Sequence, residues 1–143
     1  MPHPPAPLAA VLRIFGLFDL LAILAVVAPR SWMAAAHAFV GLGDLPDGPI
    51  VGYLARSSSA LYALHGAMIL YVSFDIERYR PLIRFLAVAA LIHGLVMMGI
   101  DLAVGMPWFW TLLEGPAFAA TGVVVLVLLR RSRNAPRDVT ESP

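Results

Sequence analysis

The chain has 143 residues, 60% hydrophobic and 13% charged, with a mean hydropathy of +0.82, a balance that excludes a soluble domain with a polar surface. Its formal net charge of +1 and its dispersed arginines argue against a nucleic-acid partner, because phosphate neutralisation needs a concentrated basic face. It has no cysteine, which removes disulfides, thiolate metal sites and cysteine nucleophiles together.

A hydrocarbon core about 30 Å thick takes about 20 mostly apolar helical residues, and four windows qualify. The first, about residues 8–28, follows a proline-rich start, "MPHPPAP", and stops at Pro29-Arg30. Arg13 and Asp19 interrupt it and no basic segment precedes it, so it reads as a retained span instead of a cleaved leader. Next comes "SWMAAAHAFVGLGDLPDGP", where Ser31 can cap a short helix that Gly41 ends, about residues 31–41. That helix is too short to cross, and Trp32 and Phe39 suit it to the membrane interface. His37 on it reads as solvated.

The second span, about 50–74, lies between "DLPDGP" and "DIERYRP". The third, about 81–105, opens with Pro81 at a first-turn position and closes at "GMP"; the fourth, about 107–129, ends at "RRSRNAPRD", which opens a basic tail, 130–143. The expected fold is all-α: a single membrane domain, a four-helix transmembrane bundle with a short interfacial helix between spans one and two. Arg78, Arg80 and Arg84 in one turn, and Arg130, Arg131, Arg133 and Arg137 in the tail, place both termini in the cytoplasm of a bacterial inner membrane. Arg13 is expected to snorkel to the headgroups, and the tail to touch anionic lipid.

Sorted by depth at about 1.5 Å per residue, the intramembrane polar groups form two layers. Arg56, Asp101 and Glu114 fall at similar heights below the outer ends of their spans, and an arginine fork can serve two carboxylates. They are read as a buried polar cluster, with Ser59, Ala63 and Ala67 continuing Arg56's stripe of small residues. Pro116 beside Glu114 is expected to kink its helix. Asp19, His65 and His93 make a second layer near the midplane, with His65 on nearly the opposite face of its helix from Arg56. Two histidines on separate helices admit a haem b reading, and Asp19 as third ligand a metal one, but one histidine per helix with no accompanying motif favours ordinary hydrogen bonds between helices. No phosphate loop, zinc motif or serine elbow appears, so no residue is assigned a catalytic or metal role and no cofactor is expected.

The succession "PRSWM", "GLGDLP", "YLARSSSALYALHG", "RYRP", "DLAVGMP" and "EGP" resembles a group of small four-span bacterial membrane proteins without an assigned activity, over roughly residues 12–129. More distantly, size and span number resemble DoxX-like four-helix membrane proteins. The resemblance implies the architecture and carries over no site residue. Three functions are then ranked: first a non-enzymatic scaffold or accessory subunit, in a larger membrane complex or homo-oligomer. Second comes lipid, anion or proton binding or transport through Arg56, Asp101 and Glu114. A haem or quinone redox subunit using His65 and His93 comes third.

Overall fold

A computed structural model describes residues 6–134. They form helices α1 (Ala6–Leu20), α2 (Ile23–Val27), α3 (Arg30–Phe39), α4 (Pro49–Ser73), α5 (Ile76–Val104) and α6 (Trp108–Asn134), and among the described residues there is no strand. Three segments are long and apolar enough to cross a membrane: Ala6–Val27, Ile76–Val104 and Trp108–Ser132. Few of their residues are buried, 11%, 17% and 22% respectively, so the apolar surface faces outward as a lipid solvent requires. This is a helical membrane protein. The chain divides into two compact units, Leu12–Phe74 and Asp75 onward with the start of α1.

Within Leu12–Phe74 the first span is not one regular helix. Ala22 N donates to Asp19 O at 3.1 Å and Leu24 N to Leu21 O at 3.0 Å, the tighter three-residue spacing that separates α1 from α2. Ala28 is extended (φ −61°, ψ 137°), as a residue before proline prefers. Ser31 is not the cap expected of it. Pro29 holds the N-cap position of α3, and its carbonyl accepts from Trp32 N and Met33 N. Gly41 does end the helix: at φ +81° it lets Leu42 N reach His37 O and its own N reach Ala38 O, closing the last turn. The following loop re-enters helix at Gly48, whose φ of +121° suits only glycine, with Pro49 in the first turn of α4.

The 25-residue α4 rises about 37 Å at 1.5 Å per residue, enough to cross a bilayer. It is nevertheless not among the three sufficiently apolar segments, because Arg56, three serines and His65 interrupt it. It meets α1 through glycines. A Cβ on Gly66 would come within 2.5 Å of Leu20 N and 2.6 Å of Gly16 O, so the backbones touch where no side chain fits. Ala63 and Gly66 are the buried small residues of the stripe, with Ser59 half-buried and Ala67 exposed instead of buried as the sequence spacing suggested.

In the second unit, α5 begins five residues before Pro81. Asp75 is the N-cap, its carboxylate accepting from Arg78 N at 3.1 Å, and Pro81 lies inside the helix. Gly105 (φ +74°) turns the chain, and Pro107 O accepts the first amides of α6. Buried Ala87, Gly94 and Asp101 on α5 recur every seven residues, and Thr111, Gly115, Gly122, Val125 and Leu129 on α6 at intervals of three, four and seven, the seam of two closely paired helices. A Cβ on Gly94 would meet Gly115 O at 2.4 Å, and one on Gly122 would meet Ala87 O at 2.4 Å. The helix continues unbroken through Pro116 and past the expected end at residue 129, so residues 130–134 are helical; the rest of the expected tail, with Arg137, lies outside the described residues.

Candidate functional site

Arg56 uses its guanidinium on backbone. Its Nε donates to Val26 O at 3.0 Å and its Nη2 to Ala28 O at 2.9 Å. The last carbonyls of α2 have no helical partner because Pro29 follows, and a cation there also complements the helix dipole. The arginine in the apolar run thus caps a helix end from a neighbouring helix. Arg80 works similarly in the other unit, donating from Nη1 to Leu129 O at 3.1 Å and from Nη2 to Ser132 Oγ at 3.1 Å, while pairing with Glu77 at 2.8 Å.

The second-layer residues divide. His65 Nδ1 lies 2.8 Å from Asp19 Oδ2, with side-chain exposures of 32% and 11%. Nδ1 and the carboxylate share one hydrogen bond between the two helices. The pair joins α4 to α1 beside the Gly16–Gly66 contact and at the point where α1 tightens. Although His65 and Arg56 start from different faces of α4, both reach the α1–α2 segment, since the arginine side chain is long. His93 belongs to the other unit and packs edge-on against Phe118, with ring centroids 5.1 Å apart at 88°.

Asp101 and Glu114 lie in the second unit, Arg56 in the first, and each is described in its own surroundings. Glu114 accepts a hydrogen bond from Trp110 Nε1, one turn earlier on α6. Asp101 is 3% exposed, and its Oδ2 is the one buried side-chain oxygen or nitrogen among the described residues without a partner. Its backbone carbonyl closes α5 through Gly105 N and Met106 N.

Outside the spans, Arg30 Nη2 holds the loop before α4, donating to Asp47 Oδ1 at 2.7 Å and Pro46 O at 2.9 Å. His37 Nδ1 donates to Gly43 O at 2.9 Å, so it is tied to the same loop. Arg13 stands over the Phe74 ring at 5.4 Å. Among the described residues no three His, Asp or Glu side chains group as a metal site would require.

No protein-family model, curated protein or solved structure matches this chain. Function is therefore argued from the site alone. Sequence reasoning missed the carbonyl partners of Arg56 and the cap at Asp75. The second had a signal, an aspartate with Glu77 in the first turn that follows; the first had none, since backbone acceptors leave no mark in residue identity.

Proposed function

We propose that the chain is a non-enzymatic scaffold or accessory subunit of a bacterial inner membrane, with α4 as a fourth span and both termini cytoplasmic. The observation that carries this reading is the use of the charged groups: Arg56 on the α2 carbonyls, His65 on Asp19, Arg80 on α6. Arg56, Arg80 and the His65–Asp19 pair are occupied in joining helices. Broad apolar faces stay open, with Leu61, Leu64, Leu102 and Val104 each more than 60% exposed, surface that lipid or a neighbouring protein can cover. In family terms the chain is placed with small four-span bacterial membrane proteins, and more remotely with DoxX-like ones, on motifs and span number. The test is crosslinking in native membranes followed by purification: a stoichiometric protein partner or a defined homo-oligomer is expected, and a monomer carrying lipid alone would reject the scaffold reading.

Asp101 favours a second reading, proton or ligand binding. A buried carboxylate oxygen without a donor is costly in a low-dielectric interior unless it is protonated or meets a ligand. Proteoliposomes with an internal pH dye decide this: flux that Asp101→Asn abolishes supports it, and no flux in the wild type removes the proton version. The haem reading stands last, because each histidine stands alone on its helix with no accompanying motif. A Soret band from protein purified out of its own membrane would reverse that order.

A further inference from the structure

A pocket of about 570 Å³ opens between α3 and the first two turns of α4, wholly within the Leu12–Phe74 unit. Arg30 and Arg56 both line it, with Asp47 as the one acidic lining residue, and Met33, Gly52 and Tyr53 complete much of the wall. Two guanidiniums against one carboxylate leave the pocket net positive. Donors remain: Arg56 binds carbonyls through Nε and Nη2 only, and Arg30 uses Nη2 alone, so Nη1 of each has no hydrogen-bond partner among the described residues. Gly52 keeps the space beside Arg56 open, since a Cβ there would come within 3.2 Å of Nη1. The side chain of Asp47 is fully exposed, so an incoming anion can replace it at Arg30 without uncovering a buried group. The first turn of α4, whose N-cap Gly48 brings no side chain to its amides, borders the same space and adds to the positive field.

We propose that this pocket binds a phosphate-bearing anion, gripped by Arg30 and Arg56. Its surroundings favour a phospholipid headgroup as the source. Tyr53, which lines it, is 66% exposed, and Trp32, on α3 between the lining residues Arg30 and Met33, is 70% exposed, the two ring types found where a protein meets the membrane–water interface. Arginine matches phosphate by charge and by the fork of its donors, while Ile50 and Leu54, both exposed, offer acyl chains an apolar path. The proposal goes beyond the scaffold reading and does not depend on it.

The experiment is native mass spectrometry of the detergent-solubilised full chain, titrated with phosphatidylglycerol or phosphatidylcholine, with inorganic phosphate as competitor. Arg30→Gln removes one gripping charge without touching the α2 cap, Asp47→Asn removes the competing carboxylate, and Gly52→Leu fills the space while keeping both arginines. Phosphatidylglycerol affinity should fall about five- to ten-fold in Arg30→Gln and Gly52→Leu and rise about three-fold in Asp47→Asn, with phosphatidylcholine indifferent to all three. Thermal unfolding of each variant checks that it is folded, and Asp47→Asn, at an exposed position, keeps the test open should the other two unfold. Displacement by millimolar inorganic phosphate would name a free anion as the ligand under the same chemistry. Equal phosphatidylglycerol affinity in the wild type and Asp47→Asn overturns the proposal, as does preference for phosphatidylcholine.

Discussion

Nδ1 of His65 and Oδ2 of Asp19 are 2.8 Å apart, joining α4 to α1 one residue from the glycine contact at Gly66. The pair couples a hydrogen bond to a glycine contact too tight for any side chain. Asp19→Ala leaves the imidazole with no carboxylate and should cost about 1–3 kcal/mol, whereas Asp19→Asn keeps an acceptor and should cost less than half as much. Thermal unfolding in detergent measures both. Equal losses for Ala and Asn would mean the hydrogen bond contributes little.

Arg56→Ala frees Val26 O and Ala28 O together, and each half-buried acceptor left without a donor costs about 1 kcal/mol or more. Arg56→Lys can reach one carbonyl but not two, so it should fall between alanine and wild type. If alanine and wild type melt at the same temperature, the α2 cap is not holding the unit together.

Two glycines on α5 should respond oppositely to alanine. Gly94 faces Gly115 O, where a new Cβ would sit at 2.4 Å, so Gly94→Ala should destabilise the hairpin by about 1–3 kcal/mol. Gly99 has open space, and Gly99→Ala should be neutral or stabilise by up to about 1 kcal/mol through helix propensity. A destabilised Gly99→Ala beside a neutral Gly94→Ala would contradict the α5–α6 packing.

Because the chain has no cysteine, single cysteines report sidedness without background. If α4 crosses, Asp44→Cys should react with an impermeant maleimide from the outer face and Arg78→Cys only after the membrane is opened. Labelling of both from one side would make α4 a surface or re-entrant helix.

By itself the sequence determined an all-helical membrane protein: the apolar windows, the proline and glycine stops at Pro29, Gly41 and Gly105, and the arginine-rich ends all lie in local composition. Local signals also misled. Pro81 looked like a helix start because proline suits a first turn, yet the cap at Asp75 begins α5 earlier, and Ser31 yielded to Pro29, whose carbonyl was already placed to receive the first amides. Spacing recognised a stripe of small residues but not which of Gly66 and Ala67 would face α1, since adjacent positions differ by only about 100° and the partner helix selects between them. Arg56 shows the boundary most plainly. Its charge in an apolar run demanded a partner, and carboxylates at matched depth were the partners a residue string can display. Only tertiary structure could offer the carbonyls of Val26 and Ala28, because every residue carries the same acceptor and what frees it is the end of a helix arriving in reach.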